Sequence, residues 1–262
     1  MTIFDLESAL GGLRSSAPAS VGAAALVELG LQDEYAPIDT PLGQVFVAWN
    51  GRGVSWVAAG DDGATFERTF TAKVGRQIRR VPAVPPKLRE AIRRRLAGDR
   101  RVRLALDLRG HSPFEVAVWT KALEIPRGEV RPYGWIAAEI GRPKAVRAVG
   151  SALAHNPVPL VVPCHRVVRS DGFIGQYSMG GPDAKRRILA AEGLDTRALE
   201  AEAAAGRRYT GSDTTHIVCH PTCRDARRVT DRHRVSFPSL TAAAAAGYRP
   251  CKHCRPVSVA AA

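Results

Sequence analysis

The chain has 262 residues, 45% hydrophobic and 24% charged, enough apolar material for one large core or two to three small ones, which excludes wholesale disorder. No apolar run approaches the roughly 18 residues of a membrane span, and residues 1–20, with Asp5 and Glu7, lack the basic and apolar stretches of a secretory signal, so a cytoplasmic chain is expected. Lys plus Arg (38) exceeds Asp plus Glu (25) by 13, a balance that favours a polyanionic partner, although a composition bias towards arginine would produce the same excess.

Residues 1–32 are rich in Ala, Gly and Leu and read as a helical leader. From Pro41 the pattern turns extended: Val45, Val47 and Trp49 alternate with Gln44, Phe46 and Ala48. Asn50-Gly51 is a hairpin turn signal, and 54–58 is the return strand. A Pro-rich entry precedes a basic helix over 87–96, and 102–108 alternates as a further strand. Residues 33–110 therefore read as a small sheet domain with a helix or two. Ser112-Pro113-Phe114-Glu115 is a capping box with Pro at the first helical position, and Phe114, Val118, Ala122 and Leu123 mark one apolar face. Pro126 stops that helix.

Two short helices follow, over 133–140 and 143–154, joined by a turn containing Gly141. Val146, Val149 and Leu153 face inward by spacing, while Lys144, Arg147 and Ser151 share the opposite face. A helix-turn-helix that presents a basic face to DNA fits this pattern, and so does a plain helical hairpin. Asn156-Pro157-Val158-Pro159 is a rigid turn, 160–162 a short buried strand, and 174–181 a loop. Asp183 caps a last helix that ends at Gly193, which closes a domain over 111–194. An Ala- and Glu-rich helical linker over 195–206 leads to an Arg- and Cys-rich module over 207–262, where the Ala run 242–246 is helical.

Five cysteines divide into one alone, Cys164, and four near the C-terminus. An odd number in a cytosolic chain argues against a disulfide framework. Cys164 is either a small buried hydrophobe or a nucleophile with a lowered pKa. The adjacent His165 would point to the opposite face of an extended strand, so it can reach the thiol only through a turn or a water. That adjacency also weighs against a cysteine hydrolase. Glu192 lies in a last helical turn, where the dipole disfavours a carboxylate by about 0.3–1 kcal/mol, so a partner such as a histidine is expected.

The pieces Pro163-Cys164-His165-Arg166-Val167, Lys144-Ala145-Val146-Arg147-Ala148-Val149-Gly150, Asn156-Pro157-Val158-Pro159 and Ala191-Glu192-Gly193, in this arrangement, closely resemble the O6-alkylguanine-DNA alkyltransferase family. More weakly, the region from Thr40-Pro41-Leu42-Gly43 to Leu106-Asp107-Leu108-Arg109-Gly110 resembles that family's ribonuclease-H-like N-terminal domain. The resemblance implies an α/β multi-domain protein that transfers an alkyl group irreversibly from O6-alkylguanine in double-stranded DNA, with O4-alkylthymine a second candidate, to its own Cys164. It implies that His165 acts on the thiol through a water, that Glu192 polarises His165, and that Asn156 braces the turn. Tyr133 would contact a phosphate and protonate the leaving guanine. Arg147 would fill the stack behind the extruded base, with Lys144 and Ser151 on the same DNA face, and Val167, Tyr177 and Ser178 would line the guanine pocket. A monomer without a small-molecule cofactor is implied too. The alternative is a non-catalytic DNA-binding relative, against which the presence of Cys164, His165 and Glu192 together weighs.

Cys219-x3-Cys223 and Cys251-x2-Cys254, 27 residues apart, have the spacing of a four-thiolate zinc site, with His216, His220 and His253 close enough to substitute. A module this small could scarcely fold without such a staple. Its ten basic against three acidic residues leave a basic face. Thr214-Thr215, 219–223 and Gly247-Tyr248-Arg249-Pro250-Cys251-Lys252-His253-Cys254-Arg255-Pro256 resemble the metal-binding domain of the Ada family, in which the first cysteine accepts a methyl from DNA methylphosphotriesters. Cys219 matches that position. Asp213 and His216 stand where that family has Arg and Gly, and Val218 and His220 where it has Phe and Arg. The resemblance thus implies structural Zn²⁺, with either a second acceptor or a DNA-docking role for the module.

Overall fold

Alternation of period two in the first half of the chain builds a sheet that is buried on both faces. The computed structural model describes residues 19–60 and 62–257. Helix α1 (Ala19–Glu28) is the part of the expected leader helix among them; 1–18 lie outside the described residues. Strands β1 (Gln32–Thr40), β2 (Gly43–Asn50), β3 (Gly53–Ala59) and β4 (Gln77–Arg80) follow, in sheet order β3-β2-β1-β4. Within this sheet β1 pairs in parallel with β4 and antiparallel with β2, and β2 pairs antiparallel with β3. Odd-numbered residues of β2 (Val45, Val47, Trp49) join the main core, and even-numbered Phe46 and Ala48 pack with Tyr35 under Phe66 and Phe70 of helix α2 (Gly63–Val74). Helix α3 (Pro86–Leu96) adds Ile92 to the main core.

Two expectations for this region need correction. The sheet starts at Gln32, earlier than Pro41, and β1 is a central strand. Its polar sequence hides it because Asp33, fully buried, is satisfied by Asn50 Nδ2 (2.9 Å), Ser55 Oγ (2.5 Å) and Arg76 Nε (2.7 Å). Segment 102–108 is not a strand. It meets β3 at a single bridge, Leu106 with Val54, because Asp107 turns inward to Asn50 and Arg109 and draws the backbone away.

Helix α4 (Pro113–Ala122) begins with the expected capping box, both reciprocal bonds between Ser112 and Glu115 being present. Strand β5 (Arg131–Pro132) leads into α5 (Tyr133–Glu139), and α6 (Val146–Ala154) is tied to α4 by Trp119 Nε1 donating to the Ala152 carbonyl (2.8 Å). Helix α6 starts at Val146, not 143, because Ala145 N–H closes a tight turn on the Arg142 carbonyl (2.8 Å). Nor is 160–162 a strand: Leu160 takes φ +73°, and Val162 N–H folds back onto the Val158 carbonyl (2.9 Å).

A single 3₁₀ turn (Cys164–Arg166) precedes β6 (Val167–Val168), which pairs in parallel with β5. Helix α7 (Gly181–Ala191) is capped by Gly180 at φ +102° rather than by Asp183, which lies inside the first turn and pairs with Arg186 (2.9 Å). Helix α8 (Thr196–Ala204), in the segment read as a linker, buries Leu199 against Val130, Val168, Ile174, Leu189 and Leu194.

The last module is a second four-stranded sheet. It comprises β7 (Tyr209–Ser212), β8 (Ile217–Cys219), β9 (Arg234–Phe237) and β10 (Arg249–Pro250), in order β10-β8-β7-β9. Helix α9 (Leu240–Ala245), the expected Ala helix, packs Leu240 and Ala243 with Val218, Phe237 and Tyr248. No helix among the described residues is long and apolar enough to cross a membrane.

Candidate active site and metal centre

The turn after Pro163 changes how Cys164 and His165 can relate. Because Cys164–Arg166 is a 3₁₀ turn and not extended backbone, the two side chains leave at helical rather than opposed angles. Both are buried, at 5% and 1% exposure. Asn156 ties the turn together: its Nδ2 donates to the Val162 carbonyl (3.0 Å) and to Cys164 Sγ (3.2 Å), and its Oδ1 accepts from Val158 N–H (3.1 Å). Burial pushes the Cys164 thiol up, while the Asn156 hydrogen bond and the Lys185 charge pull it the other way.

His165 Nε2 lies 3.0 Å from Glu192 Oε1. Burial would raise the Glu192 carboxyl, but the bonds from His165 and Arg166 outweigh it and hold the pKa at about 2. An ionised carboxylate only accepts, so Nε2 carries the proton. Burial lowers the His165 pKa against the opposing pull of Glu192, favouring the neutral ring, whose Nδ1 is then a free lone pair. That Nδ1 is buried and has no hydrogen-bond partner among the described residues.

Glu192 sits on the C-terminal end of α7, where the dipole opposes it. Two cationic or polar anchors offset this. Arg166 reaches it with Nε (2.9 Å) and Nη2 (2.7 Å) while its Nη1 donates to the Ile125 carbonyl (2.7 Å). Gly128 N–H donates to Oε2 (3.3 Å). Arg166 was part of the sequence string without an assigned role. Lys185 was missed altogether. It is fully buried, donates to the carbonyls of Val167 (2.6 Å) and Gln176 (3.2 Å), and burial lowers its pKa to about 8. One signal could have found it: Lys185 interrupts the buried stripe Ala184, Ile188, Leu189 of α7.

Tyr133, at the start of α5, is half-buried, and burial together with the negative charge that Cys164 can carry raises its pKa. Its ring lies 5.9 Å from Lys185 Nζ. Val167 and Tyr177 are buried beside the turn, with the Tyr177 ring 6.1 Å from that of His165. Ser178 lines a cavity of about 670 Å³ shared with Asn156, Pro159, Gly180 and Trp56. The structure thus gathers Cys164, His165, Glu192, Asn156, Tyr133, Val167 and Tyr177 in one place. Lys144, Arg147 and Ser151 stand apart, on the exposed face at the start of and along α6.

In the last module the sulfurs of Cys219, Cys223, Cys251 and Cys254 lie within 4.8 Å of one another, all buried. Four thiolates so close repel one another unless a cation neutralises them, and a set of four sulfur ligands matches tetrahedral zinc. The Cys254 sulfur also accepts from His220 N–H (3.4 Å). None of the three nearby histidines belongs to this cluster. His220 packs on Tyr209, His216 packs on Tyr248, and His253 pairs with Asp225 (2.5 Å). The residues fit a structural Zn²⁺, and the module binds one.

Residues 113–194 match the family model of the 6-O-methylguanine DNA methyltransferase DNA binding domain, and 196–257 that of the metal binding domain of Ada, a zinc-binding family. The bifunctional transcriptional activator/DNA repair enzyme Ada of Escherichia coli is 38% identical over 152 residues, 56% of this chain and 42% of its own length. A methylated-DNA–protein-cysteine methyltransferase of Mycolicibacterium paratuberculosis is 52% identical over 89 residues, 34% of this chain and 53% of its own. The chain therefore spans about half the length of these curated relatives. Among solved structures, a variant of the Mycobacterium tuberculosis OGT aligns at 35% identity and TM-score 0.50, over 61% of this chain and 92% of that one.

Proposed function

Because the chain belongs to the methylated-DNA–protein-cysteine methyltransferase family, we propose that it repairs DNA by direct reversal, moving an alkyl group from O6 of guanine to its own Cys164. The observation that carries this reading is the hydrogen-bonded series of Glu192 and His165 beside a buried thiol that Asn156 holds at 3.2 Å. In this reading His165 Nδ1 takes the thiol proton through a water. The thiolate sulfur then attacks the alkyl carbon, the carbon–O6 bond breaks, and guanine leaves with a proton supplied at Tyr133. Glu192 stabilises the imidazolium that forms. The product is a thioether, which thiol exchange cannot reverse, so each molecule acts once.

Double-stranded DNA is the partner on this reading. The lesion is unreachable in a duplex, so the base is flipped out at a cost of a few kcal/mol. We read α5 and α6 as the helix-turn-helix that meets the DNA, with Arg147 filling the vacated stack and Lys144 and Ser151 on phosphates. Residues 33–110 are read as the ribonuclease-H-like domain, 111–194 as the methyltransferase domain, and 207–262 as the zinc module behind the segment 195–206. The module is read as a docking element, since Asp213 occupies a position that would repel phosphate. The chain would act in the cytoplasm, on the nucleoid, as a monomer.

Mass spectrometry after incubation with an O6-methylguanine duplex tests the proposal. One methylene gained on the Cys164 peptide, stoichiometric and without turnover, is expected. DNA binding without that gain sinks the repair reading and leaves a non-catalytic DNA-binding protein.

A further inference from the structure

The zinc module does not hang from a tether. Each of its two cysteine pairs is followed at once by an arginine, Arg224 after Cys223 and Arg255 after Cys254. The Arg224 side chain stays on His253 and Asp225 of its own module, and its backbone N–H and the Arg255 side chain reach the methyltransferase core. Thr222 Oγ1 accepts from Val130 N–H (2.9 Å) and lies 3.4 Å from the Val130 carbonyl. Arg224 N–H donates to Glu129 Oε1 (3.1 Å), and Glu129 also pairs with Arg131, both buried. Arg255 bridges Glu124 (3.2 Å) and Glu139 (2.7 Å) over the Trp135 ring. Thus the metal-bearing turns grip residues 124–131.

That same segment supports the site. Ile125 offers its carbonyl to Arg166, and Gly128 N–H donates to Glu192. Arg127 donates to the Ala191 carbonyl, one residue before Glu192. Gly128 is where the two sides meet. Its φ is +73°, and a Cβ there would lie 3.2 Å from the Glu192 carbonyl oxygen and 3.4 Å from Arg227 Nη1. Arg227 in turn reaches the Gly128 carbonyl at 3.5 Å. Glycine's freedom at positive φ suits it to this position, and its missing side chain spares a tight contact with the Glu192 carbonyl.

We propose that the zinc module is an intramolecular brace for the Cys164 site: Thr222, Arg224, Arg227 and Arg255 are positioning residues that act through segment 124–131 on Glu192, and thereby on His165. The inference rests on the repair reading above. It predicts that the folded state of the metal module sets the rate, though not the final extent, of alkyl transfer. A hydrogen bond made only in the braced state is worth about a tenfold change in rate.

The test uses the full zinc-loaded chain and three variants: Arg227→Ala with Arg255→Ala, Thr222→Val, and Thr222→Ser as the conservative control. None of these residues is a metal ligand or touches Cys164. The readouts are bound zinc, amide hydrogen exchange at Gly128 and Val130, the single-turnover rate with an O6-methylguanine duplex, and the pH dependence of Cys164 carbamidomethylation by iodoacetamide. With zinc retained, the unbraced variants should exchange faster at both amides and transfer about tenfold more slowly to the same final extent. Their alkylation midpoint should move to higher pH, because a less firmly held Glu192 polarises His165 less, and Thr222→Ser should restore wild-type behaviour. Thr222→Val gives the same reading should the double variant lose its metal. Faster exchange with unchanged rate and pH profile overturns the brace. A wild-type chain that transfers no alkyl group overturns the repair reading, and the brace with it.

Discussion

Cys164 and the four cysteines of the C-terminal module are all buried sulfurs, and they are stabilised in opposite ways. Around Cys164 the protein supplies neutral hydrogen bonds from Asn156, a distant charge on Lys185, and His165 with its free nitrogen. Burial keeps that thiol protonated, and on the repair reading a base must act before it reacts. Around Cys219, Cys223, Cys251 and Cys254 the neutralising charge is the metal's, and the sulfurs are committed to it. A lone thiol held by hydrogen bonds can change partner, whereas a closed four-sulfur shell gains stability by not doing so.

The largest expected effect is on the first kind of sulfur. Cys164→Ser should abolish alkyl transfer to background in single-turnover assays while zinc content and duplex binding stay at wild-type levels. Retained transfer would place the acceptor elsewhere and erase the contrast. On the second kind, a chelator strong enough to strip zinc should unfold the module, since structural zinc contributes on the order of 10 kcal/mol to such small domains. Hydrogen exchange should then rise across β7 to β10 well before it rises in β1 to β3, and a simultaneous rise would show that one cooperative unit holds both sulfur sites.

Glu192→Gln sharpens the comparison at the relay. It leaves Arg166 buried without its counter-charge, a loss of about 3–5 kcal/mol, measurable as a fall in denaturant midpoint. The pH dependence carries the same information without mutation. The folded-state pKa of Glu192, about 2, lies below its ordinary 4.5, so its contribution is full above about pH 5 and is lost as pH falls towards 2. The shift corresponds to about 3 kcal/mol, and Glu192→Gln should flatten the difference between wild-type stability at pH 6 and at pH 3. The smallest effect is expected at the exposed helix face: Lys144→Ala should lower the slope of log binding constant against log salt by about 0.9, with the transfer rate at saturating DNA unchanged.

Much of this was legible in the chain. The hairpin at Asn50-Gly51, the capping box at Ser112, the Ala helix and the four-cysteine spacing all follow from local rules, because turns, caps and metal knuckles are specified by a few adjacent residues. The oddity of Glu192 at a helix C-terminus was also visible, and the structure answers it with His165 and additionally with Arg166. Strand β1 was not legible, since its buried Asp33 looks like a surface residue until Asn50, Ser55 and Arg76 are brought to it from three other segments. Asp183 looked like a helix cap because the residue that does cap α7, Gly180, has no side chain to advertise it.

From the sequence alone came the types of residue and their local neighbours: which sulfur stands alone, which four share a metal, and which carboxylate is in an unfavourable place. Only the tertiary structure decided what those residues mean to one another. Glu192 meets Arg166 across 26 positions and Gly128 across 64, and Thr222 meets Val130 across 92. Such pairings are selected by the packing of whole elements, which excludes water and makes each polar partner obligatory, and no short window of sequence encodes that requirement.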